Sequence, residues 1–345
     1  MTRVLHILPH PGGGAETHID LLEQIPGTSH ERMSLSNGRT PTEGARSIPR
    51  NYPAIRRAAD AADLVTVHGD LPAMLTWPIL RAHPSIWITH GLHFSRRSSG
   101  MRRVVVDRWL AGSCRAANLT QCTSYAEKAE LIGRIGPAGR MEVVHNAVPA
   151  PPPVDRDAVR AELGLDPADV AVLYLGQLEP RKDPLLAVEA ARGLEHVVML
   201  VAGDGPQRAE LASAGARMLG FRRDPERLLA AADVLVMPSR HEGLSFAVLE
   251  AMAAGVACVV SDGPGNPEAV GEAGIIFSAG DLQALRAALA RLAADPAERG
   301  RLSALARERA ATEFSVDRFL ARMQSLYAEV LAGSGSRSAA SAAAG

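Results

Sequence analysis

The chain has 345 residues, of which 47% are hydrophobic and 22% charged, and a formal net charge of -1. This length predicts two domains of about 100–200 residues each rather than one core, and the near-neutral charge offers no global attraction for nucleic acid. Three cysteines, Cys114, Cys122 and Cys258, are too few for a disulfide scaffold and lack metal-ligand spacing, so they read as core thiols of a reducing compartment.

Short branched-apolar runs alternate with alanine- and leucine-rich stretches from end to end, which predicts parallel sheets flanked by helices. In the first half, strands are expected at 4–8, 64–68, 85–89, 118–120 and 141–144, and helices at 15–24, 52–61, 72–82 and 124–133. The polar stretch 26–48 reads as loops. Met1, Thr2 and Arg3 lead straight into the first strand, so no secretion signal is predicted, and no run approaches the ~20 apolar residues that span a bilayer. The expected location is cytoplasmic.

Residues 149–153, Pro-Ala-Pro-Pro-Pro, form a stiff extended linker. They divide the chain into a domain at 1–150, a domain with terminal helices at 151–332, and a Ser/Ala-rich tail at 333–345 expected to be disordered. The second series has strands at 170–175, 197–202, 216–219, 234–237 and 257–261. Its helices fall at 184–193, 207–215, 225–231, 245–254, 281–293, 297–311 and 316–332.

The most informative stretch is 238–245, PSRHEGLS, which follows an apolar strand and opens a helix carrying Glu250. Free amides at such a helix start favour an anion, while a carboxylate at Glu242 suits sugar hydroxyls. Residues 176–182, GQLEPRK, place Gly176 at a strand end and Lys182 in the loop beyond, where an ammonium can neutralise a diphosphate. Two more glycine loops, VAGDGP with Gly203 and SDGPGNPE at 261–268, also end strands, and strand ends in a parallel sheet converge on ligands.

In the first half, Gly12, Gly13 and Gly14 precede a helix bearing Glu16. A dinucleotide fingerprint fails there because Thr17 stands where the third glycine is needed, yet the loop can bring backbone against a diphosphate or acceptor. His90 follows a strand and can donate to a sugar hydroxyl or stabilise charge; His68 is a weaker candidate of the same kind. Arg96, Arg97, Arg102, Arg103 and Arg108 surround Val104, Val105, Val106 and Trp109. That segment suits an anionic acceptor, an acidic lipid surface or a solvated helix face.

Together these residues resemble the retaining, nucleotide-sugar-dependent glycosyltransferases of family 4. The resemblance covers nearly the whole chain: residues 12–16, His90, VVHNAV at 143–148, residues 176–182 and, most specifically, 238–244 with Glu250. It implies an α/β GT-B fold, two Rossmann-like parallel-sheet domains facing across a cleft, the first binding acceptor and the second donor. It further implies that Glu242 contacts the donor sugar, Glu250 binds the nucleotide ribose, and the amides of Leu244 and Ser245 hold the distal phosphate. Lys182 then neutralises the diphosphate, with Gly176, Gln177 and Gly203 at the nucleotide. His90 stands beside the donor sugar, and the loop of Gly13 and Gly14 lies beside the donor phosphates.

One departure matters: the family usually has arginine after the glycine matching Gly176, and Gln177 stands there. Lys182 then carries more of the diphosphate charge, helped by Arg181 or Arg240. The resemblance implies retaining transfer from a nucleoside diphosphate sugar to a small-molecule or lipid-linked hydroxyl acceptor, without a covalent nucleophile or a required cofactor. The only Asp-x-Asp run, Asp155, Arg156 and Asp157, sits in the linker and suits a helix start, so no obligatory divalent metal is expected. The partners expected are donor and acceptor, with no nucleic acid and with peripheral contact to an inner membrane face through residues 96–108. Two alternatives stay open: a nucleotide-sugar epimerase of similar architecture, and a nucleotide-sugar-binding protein of weak turnover, motivated by Gln177.

Overall fold

The computed structural model describes residues 1–11, 14–38 and 45–342, with residue 45 and residues 334–342 described as backbone only. In chain order the first elements are β1 (Thr2–Leu8), α1 (Gly14–Leu22), β2 (Thr28–Ser34), α2 (Ile48–Ala61), β3 (Leu64–His68), α3 (Asp70–Leu75) and α4 (Trp77–Ala82). They continue with β4 (Ser85–Ile88), α5 (His93–Arg96), α6 (Gly100–Ala116), β5 (Leu119–Cys122), α7 (Tyr125–Ile135) and β6 (Met141–Val143). After the proline run come α8 (Arg156–Glu162), β7 (Val170–Leu175), α9 (Pro184–Ala191), β8 (Val197–Ala202), α10 (Arg208–Ser213), β9 (Arg217–Gly220) and α11 (Pro225–Ala231). The chain ends through β10 (Val234–Met237), α12 (Phe246–Ala254), β11 (Ala257–Ser261), α13 (Asn266–Val270), β12 (Gly274–Phe277), α14 (Leu282–Ala294), α15 (Pro296–Glu313) and α16 (Val316–Ala342).

Each half builds one six-stranded sheet, in the order β2-β1-β3-β4-β5-β6 and then β12-β11-β10-β7-β8-β9, with every pairing parallel. Parallel pairing demands a crossover after each strand, and the helices that supply it cover both sheet faces. The central strands are therefore apolar on both sides. In β10, Val234 and Val236 pack with α9 and α14, while Leu235 and Met237 pack with α12 and α15. The expected α/β class and the two Rossmann-like sheets are thus present, and all three cysteines are buried and free.

The compact units are Met1–Asn146 with Val316–Gly345, and Ala147–Ser315. This division differs from 1–150 and 151–332 because α16 belongs to the first unit: Phe319 sets its ring edge-on to His18 of α1, with centroids 5.1 Å apart. The spacing of Phe319, Met323, Leu326, Tyr327 and Val330 gives α16 one buried stripe. Three local expectations also change. The polar stretch 26–48 contains β2, whose sequence TSHERMS lacks an apolar run because it is an edge strand. The expected helix 72–82 is broken at Thr76 into α3 and α4, with Pro78 in the first turn of α4. The tail at 333–345, expected to be disordered, continues α16 as far as Ala342, while the arginine–valine segment forms α6.

The linker helix α8 is anchored by charge. Asp155 caps it, its side chain accepting from Ala158 N at 3.0 Å. Arg160, 8% exposed, donates to Asp233 Oδ2 at 3.1 Å and to the carbonyls of Ala231, Asp166 and Asp169. Asp233 Oδ2 also accepts from Ala171 N at 2.8 Å, and Arg156 Nη2 donates to Asp233 Oδ1 at 2.7 Å, so two arginines of α8 meet at the entry of β7. Replacing Arg160 leaves half-buried Asp233 with Arg156 and Ala171 N, and takes a charged donor from three carbonyls. Arg160→Met should lower unfolding free energy by about 2 kcal/mol, seen as a lower denaturation midpoint; an unchanged midpoint would show that Arg160 does not anchor α8.

Candidate functional site

In the second unit, the loops after β7, β8, β10 and β11 all leave the same sheet edge. Adjacency of β7 and β10 brings the two catalytic candidates together. Lys182 Nζ donates to Glu242 Oε1 in an ion pair whose side chains are only 14% and 6% exposed. Backbone holds the loops in register, with Arg240 N donating to Arg181 O at 3.0 Å. The other cations of this edge are also matched. Arg240 donates to Asp183 Oδ2 at 2.9 and 3.1 Å, and Arg181 donates to Glu179 Oε2 at 2.9 Å.

Gln177, where an arginine was the family expectation, accepts from Arg181 Nη2 through its Oε1 at 2.6 Å. The Nη1 of Arg181 is buried without a partner. Arg181 is therefore steered by Gln177 and Glu179, whereas Arg240 is drawn aside by Asp183 and is more exposed.

Gly203 changes meaning. A Cβ there would collide with the Gly176 carbonyl oxygen, so the missing side chain admits the neighbouring loop. Leu178 N donates to Asp204 O at 2.9 Å and Gly203 N to Gly220 O at 2.8 Å, which makes the glycines of β7 and β8 mutually packed backbone. Gly263 likewise stands against the carbonyls of Ser239 and Arg240, at 2.7 and 3.0 Å from where its Cβ would be.

Leu244 and Ser245 lead into α12, whose N-cap Ser245 makes no side-chain capping bond. The amides of this first turn are thus left to an acceptor other than Ser245. Glu250 sits one turn further along α12 and has no hydrogen bond or ion pair among the described residues. Burial, with the Glu226 charge adding to it, pushes its carboxyl up to about 7. A half-buried carboxylate without a partner among the described residues fits a group that meets ligand hydroxyls.

In the first unit, Gly14 opens α1, and Gly13 lies outside the described residues. His90, half-buried at the end of β4, begins a run with φ of 50° at His90, 103° at Gly91 and 52° at Leu92. Two buried carboxylates hold this strained turn. Glu127 accepts from Gly91 N, and its Oε2 accepts from Thr123 N and Oγ1 at 2.7 and 2.8 Å. Asp70 Oδ2 accepts from Ser95 N at 2.6 Å.

Sequence reasoning passed over both carboxylates. Glu127 did carry a signal, the Ser124-x-x-Glu127 capping box, in which Ser124 Oγ accepts from Glu127 N at 3.0 Å. Behind His90, sequence reasoning also passed over His6 and His30, which join His68 in a line of buried or half-buried imidazoles, and His18, whose ring stands edge-on to His90. Among the described residues no group of three or more His, Cys, Asp or Glu is arranged to hold a metal ion.

Glu250 sets a stability test with a definite sign. Its carboxyl is raised in the folded state from the ordinary 4.5 to about 7, so folding is favoured below pH 4.5 and loses that advantage as pH rises towards 7. Glu250→Gln, neutral at every pH, should therefore melt higher than the parent at pH 8 and equally at pH 4.5. Equal melting at both pH values would show that the carboxylate carries no burial penalty.

Residues 12–151 match glycosyltransferase family 4, and residues 169–295 match glycosyl transferases group 1. The D-inositol 3-phosphate glycosyltransferase of Mycobacterium sp. (strain KMS) is 37% identical over 149 residues, covering 38% of this chain and 34% of that protein. The chain thus spans about a third of that relative's length. The 2-deoxystreptamine glucosyltransferase of Streptomyces kanamyceticus is 30% identical over 295 residues, covering 75% of this chain and 74% of that protein. The crystal structure of Anabaena HepE in complex with UDP-glucose superposes with a TM-score of 0.79 at 20% identity, over 96% of this chain and 100% of that one, and shows the GT-B fold. With both units matched and most of a full-length relative aligned, the chain belongs to glycosyltransferase family 4.

Proposed function

We propose that the protein transfers a glycosyl group from a nucleoside diphosphate sugar to a hydroxyl acceptor, with retention at the anomeric carbon. The observation that carries this reading is the buried Lys182–Glu242 pair beside the α12 start that Ser245 leaves uncapped. A diphosphate arriving at that helix start competes with Glu242 for Lys182, and the displaced carboxylate can accept sugar hydroxyls. The bond from the anomeric carbon to the phosphate oxygen then breaks, its electron pair leaving with the diphosphate. Lys182 and the first-turn amides stabilise that charge. The acceptor oxygen bonds the same face of the sugar, and its proton passes to the departing phosphate.

Within this reading we take glucose as the sugar and a cyclic polyhydroxylated compound as the acceptor, a choice supported by the name of the 2-deoxystreptamine glucosyltransferase. Glu250, raised to about 7 and without a partner, is the group we assign to the ribose hydroxyls.

The test is incubation with UDP-glucose and either 2-deoxystreptamine or D-inositol 3-phosphate, with products read by mass spectrometry and by the anomeric coupling constant. An α-glucoside is expected, and Lys182→Ala should lower its formation by about 10²–10³-fold while the protein still melts cooperatively. A β-linked product would overturn retention, and parental rates in Lys182→Ala would overturn the leaving-group assignment.

We propose further that the first unit meets an anionic membrane surface through α6, placing the protein in the cytoplasm at the inner membrane face. Val106, Leu110 and Cys114 bury one side of this helix, while Met101, Val104, Val105 and Trp109 stand 80%, 50%, 52% and 54% exposed on the other. Arg102, Arg103 and Arg108 are exposed alongside them. An apolar stripe edged by arginines is the pattern of an interfacial helix. Among the described residues no helix is long and apolar enough to cross a membrane. The protein should sediment with phosphatidylglycerol-containing vesicles and not with phosphatidylcholine vesicles, and Val105→Glu with Trp109→Glu should abolish this. Equal binding to both vesicle types, or none, would remove the membrane partner.

A further inference from the structure

Four imidazoles of the first unit join end to end, and one hydroxyl dictates their protons. Thr28 Oγ1 lies 2.6 Å from the carbonyl oxygen of Ile25, which has no proton to give, so the hydroxyl donates there. Thr28 Oγ1 is also 2.6 Å from His30 Nε2, which must then be the donor. A neutral His30 therefore accepts at Nδ1, and His6 Nε2, 2.8 Å away, donates to it. His6 in turn accepts at Nδ1, where Thr66 Oγ1 donates at 2.6 Å in preference to the Leu5 carbonyl oxygen at 3.4 Å. With the Thr66 proton committed, His68 Nε2 faces two acceptors, Thr66 Oγ1 at 3.1 Å and His6 Nδ1 at 3.2 Å, and must carry a proton. Its Nδ1 accepts from His90 Nε2 at 2.9 Å. The last ring is left with an unprotonated Nδ1 that has no partner among the described residues.

We infer that Thr28, His30, His6 and His68 act in series as positioning residues that hold His90 in its Nε2–H tautomer, so that Nδ1 accepts a hydrogen bond from a sugar hydroxyl. This replaces the expectation that His90 donates. The series is a clamp and not a proton wire, because its far end is closed by a carbonyl that cannot release a proton. Neutrality of the rings agrees with their setting: burial, and then neighbouring imidazoles, hold His6, His68 and His90 well below the ordinary histidine range. His18 repeats the arrangement beside His90. Its Nδ1 donates to Asn146 Oδ1 at 3.1 Å, its Nε2 is buried without a partner, and its ring stands edge-on to His90 with centroids 4.9 Å apart.

The choice of a sugar hydroxyl rests on the glycosyl-transfer reading; the tautomer does not. In protein labelled with ¹⁵N-histidine, with His90 identified by its loss in His90→Gln, two-bond proton–nitrogen spectra at pH 8 should show Nε2–H alone. His68→Leu should give a mixture of tautomers. His68→Asn should restore Nε2–H, because its side-chain oxygen takes the place of the accepting Nδ1. Thr28→Val, at the half-buried far end, should loosen the preference without endangering the core. A parental Nδ1–H form, or a His90 tautomer indifferent to His68→Leu, would overturn the series.

Adding UDP-glucose should shift the His90 Nδ1 resonance, and adding UDP should not. His68→Leu should weaken UDP-glucose binding about fivefold, as loss of one aligned hydrogen bond does. An unmoved Nδ1 with UDP-glucose bound would overturn the hydroxyl contact alone. Absence of turnover with a single Nε2–H tautomer would instead count against glycosyl transfer and leave the positioning series standing.

Discussion

The ion pair between Lys182 and Glu242 sets the chemistry of the second unit, because it fixes two charges at the carboxyl ends of adjacent parallel strands. Neither charge would tolerate such burial alone. Taking either charge this far from water alone is costly, and each partner offsets that cost for the other. The surrounding cations are neutralised in the same way, Arg181 by Glu179 and Arg240 by Asp183. Among the described residues, the cations of the loops after β7 and β10 are therefore paired. An anion meets there the first-turn amides of α12, and it gains a charged partner by exchanging places with a carboxylate. On the proposed reading, that exchange links diphosphate binding to displacement of Glu242 towards sugar hydroxyls.

Backbone geometry makes the exchange local. The loops after β7 and β8 pack carbonyl against glycine, and those after β10 and β11 do the same, so the polypeptide around Lys182 and Glu242 has little room to rearrange. Side-chain rotation is then the cheaper motion. The fold confines change to the long side chains and keeps the amides of α12 where the sheet put them.

Much of this was legible in the residues. Branched-apolar runs marked strands such as β7, β8, β10 and β11 because parallel strands are apolar on both faces, and glycine loops marked their ends. Strand β2 was illegible for the opposite reason: an edge strand with solvent on one side needs no apolar run, and TSHERMS has none. Lys182 and Glu242 were each visible as charged loop residues. Their pairing was not, since it depends on β7 lying next to β10 across an intervening βαβ excursion. Gln177 looked like a lost charge, and only the loop's path shows that it seats Arg181. The break at Thr76 was hidden because Pro72 and Pro78 each fit a helix first turn as well as a helix interruption.

The histidine series was least legible, and the reason is topological. His6, His30 and His68 come from three strands, and no spacing in the sequence relates them. Strand order supplies the relation: β2, β1 and β3 are neighbours, and their register sets His6 opposite Thr66 and His30 opposite Val4. Period-two alternation then puts Thr66 and His68 on one face. At the end of this line stands His90, in a left-handed backbone that a non-glycine residue adopts only under constraint. Two separate supports meet there. Glu127 and Asp70 hold the backbone of the turn, and His68 holds the ring. A strained main chain combined with an imidazole of defined tautomer is costly to build twice over, and the buried carboxylates and hydrogen-bonded rings around it serve mainly to present one nitrogen lone pair. That concentration of restraint on a single acceptor atom is the physical ground for proposing that His90, rather than its buried neighbours, meets ligand.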